Sequence, residues 1–311
     1  MMHNLSGQRL RLSSKTALSL ILTACLGACS QQSTYHRPEL DVAPAWQQDA
    51  RDLGGQQAGL WWQGFRDPAL DQLVDKVLAA NPDMQVAGLR LKSALLGADL
   101  ADTNLTPSVN ASLGASGNKN MKDGSASSNL GPSFNLSYEV DLWGRLAAAR
   151  DQASWEAQAS EQDLAATRLL LIGKTLEQYW QLAYLGSAIS LGERQLANYE
   201  RIERLTRAKY DAGAVTRLDL VQASQQKAGK QADLSSLTLQ REQAGNALRL
   251  LLGRSSGPLE FAPTSLAMSP IPTLAVGIPA DVLSRRPDVR AAELRLRKTL
   301  ARGDEIRTGF Y

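Results

Sequence analysis

The two cysteines of the chain, Cys25 and Cys29, stand four residues apart in "LTACLGACSQQSTYHRP" (Leu22 to Pro38). A thiol pair at that spacing admits three chemistries: a metal clip, a disulfide, or a processing site in which one thiol is acylated and the other is a bystander. The two histidines, His3 and His36, cannot complete a structural zinc site without carboxylates, and no ligand spacing in the chain supports one. Both cysteines instead close an apolar run, Ala17 to Ala28, of about twelve residues, too short to span a bilayer. His3, Arg9, Arg11 and Lys15 precede it as a basic flank, so the run reads as a secretory signal. Leu22-Thr23-Ala24-Cys25 and Leu26-Gly27-Ala28-Cys29 each look like a bacterial lipobox, in which a lipid is attached to the Cys thiol before cleavage. Residue chemistry leaves both cysteines open, with Cys29 favoured because it gives the longer apolar region.

Little else in the chain has the spacing of a reactive site. Gly173-Lys174-Thr175 has the end of a phosphate-binding loop, but Arg168 occupies the position of the required earlier glycine and the stretch reads as mid-helix. There is no Ser/His/Asp set and no paired-acid motif, so the expectation is a non-enzymatic protein with no cofactor and no metal. With 34 Lys and Arg against 31 Asp and Glu, the net charge of +3 leaves no electrostatic footprint for nucleic acid. Aromatics are 5% of residues, while Ala, Leu, Gln and Arg are abundant, a composition that favours long helices over a compact aromatic core.

The elements follow from periodicity. Residues 29–66, rich in Gln, Pro and Gly with Trp46, Trp61 and Trp62, read as an extended segment lying over something else. From Asp67, Leu70, Leu73, Val74, Val77 and Leu78 recur at helical spacing behind Pro68, until Asn81-Pro82 breaks the helix. A second helical run carries Leu89, Leu95, Leu96 and Leu100 and ends near Asn104, before Pro107. The period then changes to two, predicting strands at about 107–117 and 133–143 around the polar loop "NKNMKDGSASSN". Val109, Ala111, Leu113 and Ala115 share one face of the first; Phe134, Leu136, Tyr138, Val140 and Leu142 share one face of the second, opposite Asn135, Ser137, Glu139 and Asp141. Each run is about ten residues, the length a tilted strand needs to cross a membrane. Alternation alone equally describes a soluble hairpin with one solvated face. The secretory signal upstream and the lack of further alternating runs to finish a soluble sheet favour the membrane.

Long helices are predicted over about 144–212, a stretch without proline, and about 216–252. Leu182, Ile189 and Leu196, with Leu185 and Tyr199, give the first a heptad character that Gly192 interrupts. The reversal "YDAGAVTRLD" joins the two as an antiparallel hairpin. Gly213 has the place of a helix C-cap, and Thr216 with Asp219 has capping-box spacing.

The chain also repeats itself. "NPDMQVAGLRLKSAL" (Asn81 to Leu95) matches "RPDVRAAELRLRKTL" (Arg286 to Leu300) at a constant offset of 205 residues, which indicates duplication of a whole unit. The same offset would put the counterpart of Pro107 at position 312, one past Tyr311. The expectation is therefore a second copy that stops after its first helix, in an interrupted product or a fragment.

Four stretches, "CSQQSTYHRP", "WWQGFRDPALDQLVDKVLAANPDM", "SYEVDLWGR" and "YDAGAVTRLDLVQA" with "NALRLLLG", resemble the outer-membrane efflux protein family, the TolC-type channels. Within it they are most similar to the NodT/OprM-like lipoproteins of resistance-nodulation-division (RND) exporters. The resemblance implies a mixed, mainly α fold with a membrane β-hairpin: an outer-membrane β-barrel and a periplasmic α-helical barrel, both formed by oligomerisation. It implies a homotrimer when full length, acting as the passive outer-membrane exit duct of a tripartite multidrug or solute efflux system. The partners implied are a periplasmic adaptor, an inner-membrane pump and outer-membrane lipid. The Tyr-x-Arg-Pro after Cys29 assigns lipid attachment to Cys29 and leaves Cys25 in the signal. The resemblance further places Gly213, Ala214, Val215 and Leu218 at the adaptor contact and Asp219 near the periplasmic constriction. The domain reading is a signal peptide at 1–28, an extended segment at 29–66, a first repeat at 67–266 and the start of a second at 267–311. A non-conducting periplasmic coiled-coil lipoprotein that scaffolds the envelope is the alternative.

Overall fold

A computed structural model describes residues 33–39, 60–260, 263, 266 and 283–310. Cys25, Cys29 and the signal lie outside the described residues. The chain runs from a 3₁₀ turn at Trp61–Phe65 into α1 (Pro68–Ala80) and α2 (Pro82–Thr103), then β1 (Ser108–Lys119) and β2 (Ala126–Ser137). Helices α3 (Arg145–Asp211), α4 (Arg217–Leu251) and α5 (Pro287–Thr308) follow. The architecture is mainly helical with one antiparallel strand pair. At 1.5 Å per residue, the 67 residues of α3 amount to about 100 Å of helix along the chain.

Local chemistry sets the α1–α2 corner. Asp67 caps α1 by accepting from the backbone N–H of Ala69 and Leu70, at 3.0 and 3.2 Å, with Pro68 in the first turn where no donor is missed. The Tyr179 hydroxyl donates to the other Asp67 oxygen at 2.5 Å. Burial, and then the Asp67 carboxylate, push that phenol well above its ordinary range, so it stays a donor. Asn81 ends α1 and starts α2, its Oδ1 accepting from the N–H of Asp83 and Met84 at 2.8 and 3.3 Å.

The described residues fall into two compact units, one drawn from Met1–Leu40, Lys92–Ser160 and Ala291–Tyr311, the other from Asp41–Leu91 and Glu161–Arg290. The second holds the main apolar core. Leu70, Leu73, Val74 and Val77 of α1 bury against Leu171, Ile172, Leu176, Tyr179, Leu182 and Leu185 of α3 and Leu248 of α4, with Trp62 beside them. Truncating any of these leucines to Ala removes about 2–5 kcal/mol. Gly192, which breaks the heptad stripe in sequence, is where α4 comes close: a Cβ there would sit 3.3 Å from Leu234 Cδ1. Within the stretch read as extended and lying over something else, Trp61–Phe65 form a 3₁₀ turn, and Trp62 in that turn is buried.

In the first unit the second strand also departs from expectation. It occupies 126–137 rather than 133–143, because its partner sets its limits. β1 starts at Ser108, next to Pro107, which has no N–H to donate, and the register pairs Ser108 with Ser137. Beyond Ser137 there is no ladder to continue. Glu139 and Asp141, expected on the polar face of that strand, serve α3 instead. Asp141 accepts from the N–H of Leu146 and Ala147 at 3.1 and 2.8 Å, and Glu139 pairs with Arg145 at 2.6 Å. A carboxylate at a helix N-terminus meets orphan donors and the positive end of the dipole.

Candidate functional site

Except at the turn end, where Ser128 and Lys119 share the apolar side, the hairpin sorts its side chains by face. Val109 faces Leu136, Ala111 faces Phe134, Leu113 faces Pro132 and Ala115 faces Leu130, all on one side. The other side pairs Ser108 with Ser137, Asn110 with Asn135, Ser112 with Ser133 and Ser116 with Asn129. Ser112 and Ser133 hydroxyls are 2.7 Å apart. The connecting turn is short: Asp123 accepts from the N–H and hydroxyl of Ser125, and Gly124 takes φ +74°. Every residue of both strands is exposed, Phe134 to 80%. An apolar face with its large side chains in the open is not what a free two-stranded ribbon would carry in water.

The reversal between α3 and α4 is built from two caps in succession. Ala214 N–H donates to Lys209 O at 2.8 Å and Gly213 N–H to Tyr210 O at 2.9 Å, the Schellman pattern, with Gly213 at φ +74°. Thr216 then opens α4 with a reciprocal capping box: Asp219 N–H donates to Thr216 Oγ1 at 3.3 Å, and Thr216 N–H to Asp219 Oδ2 at 2.8 Å. The Thr216 hydroxyl also donates to that oxygen at 2.6 Å, and these bonds hold the Asp219 carboxyl below its usual range. Gly213, Ala214, Leu218 and Asp219 are exposed and Val215 half-buried, so the tip offers a small apolar cap and one fixed negative charge.

Behind the tip, Glu203 of α3 takes Lys227 Nζ at 2.6 Å and the Ser224 hydroxyl at 2.8 Å, both from α4. The Lys227 bond, then that of Ser224, holds the Glu203 carboxyl below its usual range. The brace had no local signal in the sequence. The one pointer to the brace is symmetry about the reversal, since Glu203 and Lys227 are both twelve residues from Val215. Among the described residues no cluster of His, Cys, Asp or Glu could hold a metal ion, and no helix is long and apolar enough to cross a membrane. Cys29 lies outside the described residues.

A two-faced hairpin joined to helices of 67 and 35 residues defines a fold of the TolC type. The outer membrane efflux protein family profile matches residues 73–254, and the chain belongs to that family. It is 33% identical over 299 residues to the pyoverdine export outer membrane protein OpmQ of Pseudomonas putida, covering 90% of this chain and 61% of that protein. To the toxin and drug export protein A of Aggregatibacter actinomycetemcomitans it is 29% identical, over 91% of this chain and 62% of that one. Among solved structures, the open state of the Neisseria gonorrhoeae MtrE outer membrane channel superposes with a TM-score of 0.75 at 27% identity, covering 91% of this chain and 64% of that chain. The chain thus spans less than two thirds of the length of these relatives.

Proposed function

We propose that the chain is the lipid-anchored outer-membrane channel component of a tripartite efflux system, a passive exit duct for drugs or other solutes. The observation that carries this reading is the hairpin register, which puts every large apolar side chain of both strands on one face and, apart from Ser128 near the turn, the hydroxyls and amides on the other. Such a ribbon satisfies its backbone in a bilayer by joining further strands into a closed barrel, apolar face to lipid and polar face to a water-filled lumen. A homotrimer is the family arrangement. The exposed leucines of α2, among them Leu89, Leu96 and Leu100, suit a wall of helices in which each has neighbours on two sides.

On the same reading Cys29 carries the lipid, and Gly213, Ala214, Val215 and Leu218 meet a periplasmic adaptor that links the duct to an inner-membrane RND pump. Asp219 lies near the constriction. The reading assigns transport and no catalytic step. Planar-bilayer conductance together with heat-modifiable oligomers on a gel supports it. A protein that stays lipid-anchored but gives neither favours the non-conducting coiled-coil scaffold, for which the unbroken α3 is the supporting feature. Asp219→Asn keeps an acceptor for the Thr216 cap and removes the charge, so unchanged ion selectivity in that variant would count against the constriction role.

A further inference from the structure

The charges of the hairpin stand at one end of it. Between Ser108 and Ser137 the ionisable side chains are Lys119, Lys122 and Asp123, all at the turn that joins β1 to β2. Asp123 is engaged locally: it accepts from the Ser125 N–H and hydroxyl at 3.0 and 2.7 Å and from the Asn120 side-chain amide at 3.0 Å. Both lysines are exposed, and neither ammonium has a hydrogen-bond or ion-pair partner among the described residues. The foot is different. Tyr138 and Trp143 follow β2 there, 55% and 43% exposed, whereas the turn half of both strands holds no aromatic residue.

The register gives Lys119 a side. It pairs with Ala126, four positions beyond Ala115, so it leaves the sheet on the face of Val109, Leu113, Phe134 and Leu136. Its height follows from the strand. Lys119 is ten positions on from Val109, which is about 34 Å along an antiparallel strand and about 26 Å along the membrane normal at a tilt of about 40°. The apolar band of a membrane barrel is about 25 Å tall. A strand that enters that band at Val109 therefore brings Lys119 out at the opposite border, where its stem lies along the last apolar residues and its ammonium reaches headgroup level. Barrel strands carry aromatic girdles at both borders. Here rings hold the foot, and free cations hold the turn.

We propose that Lys119, seconded by Lys122, binds phosphate-bearing lipid headgroups of the leaflet on the turn side and so fixes the height of the hairpin in the membrane. The partner is a lipid surface, because an outward cation at that height meets headgroups before it meets bulk water. An ammonium is a compact point charge suited to phosphate oxygens, and no carboxylate of the hairpin competes for it. The turn cannot slide into the hydrocarbon without desolvating the ammonium, and it cannot rise away without giving up the phosphates. The proposal rests on the reading of the hairpin as part of a membrane barrel.

The test is amine acylation of the full chain in lipid nanodiscs, which leave both membrane faces open to reagent, read lysine by lysine by peptide mass spectrometry. Discs of phosphatidylcholine are compared with discs that also contain phosphatidic acid. Lys119 should react about fivefold more slowly in the anionic discs, and Lys122 more slowly too, while the exposed Lys174 of α3 reacts alike in both. In Asn118→Lys/Lys119→Asn the composition is unchanged but the ammonium moves to the polar face, and its rate should no longer differ between the discs. Equal rates at position 119 overturn the proposal, as does equal protection of the exchanged lysine. Slowing by inorganic phosphate added to phosphatidylcholine discs overturns the assignment to lipid. Urea extraction from vesicles of the same lipids separates the two readings. A chain that urea strips away overturns the barrel reading and the proposal with it, whereas a resistant chain with equal rates at Lys119 overturns the proposal alone.

Discussion

The side-chain amide of Asn81 donates to the carbonyl oxygen of Leu251 across 2.8 Å, tying the α1–α2 corner to the last turn of α4. One buried residue thereby caps the start of α2 and satisfies an orphan carbonyl at the end of another helix. Asn81→Ala removes an N-cap, about 0.5–2 kcal/mol, and leaves the carbonyl of the half-buried Leu251 without its donor, which adds to the loss. Asn81→Asp keeps the acceptor for Asp83 and Met84 but turns the donor into an oxygen facing Leu251 O. Both variants should melt earlier than the parent in thermal or denaturant unfolding. An Ala variant as stable as the parent would show that the corner is held by packing alone.

The two positive-φ glycines that end the long helices should respond unequally to the same substitution. Gly213 and Gly253 both close Schellman motifs, at φ +74° and +67°. At Gly213 an added Cβ meets nothing within 4 Å, so Gly213→Ala costs only the left-handed backbone, about 1–2 kcal/mol, and frays the tip. At Gly253 the Cβ would lie 2.9 Å from the Ala80 carbonyl oxygen, which is backbone and cannot turn aside. Gly253→Ala should therefore be the more destabilising of the pair, and chemical denaturation of the two variants side by side decides it. Equal losses would mean that α4 gives way at the contact.

Acid should loosen the α3–α4 hairpin through Glu203. Its carboxyl is held below the ordinary value of about 4.3 by Lys227 first and Ser224 second. A group depressed in the folded state contributes stability above its unfolded pKa and loses it as pH falls through the folded pKa. At about pH 6 the parent should outlast Glu203→Gln in hydrogen exchange of the flanking turns, and the two should converge as pH falls through the depressed pKa of Glu203. A gap between them that persists in acid would assign the effect to packing of the side chain instead of its charge.

What could be read from the residues was whatever local spacing determines. The alternation of Val109 to Ala115 and of Phe134 and Leu136 marks the faces that the register then pairs. Likewise Gly213, Thr216 and Asp219 carry their turn chemistry within seven residues. The limits of β2 were not legible, because a strand ends where its partner does, and the competing demand of the α3 N-terminus for Asp141 is invisible in an alternating run. Nor were the contacts that join distant segments: Ser33 to Asp304 spans 271 positions and Asn81 to Leu251 spans 170. Nothing in either neighbourhood names its partner.

Adjacent residues of β2 should tolerate charge in opposite ways. Phe134 pairs with Ala111 on the apolar face and Asn135 with Asn110 on the polar face, one residue apart along the strand. If the first face meets lipid, Phe134→Arg places a guanidinium in hydrocarbon at about 2–4 kcal/mol, while Asn135→Arg points the same group into water and costs little. The readout is the fraction of chain that becomes resistant to urea extraction from outer membranes: lowered for Phe134→Arg, near parental for Asn135→Arg. Leu136→Arg should follow Phe134→Arg, because a period of two returns it to the same face. A soluble hairpin predicts otherwise, since a charge on a face already in water would leave membrane association untouched in all three variants. Parental extraction behaviour in Phe134→Arg and Leu136→Arg together would therefore remove the membrane assignment of the hairpin, whatever the helices do.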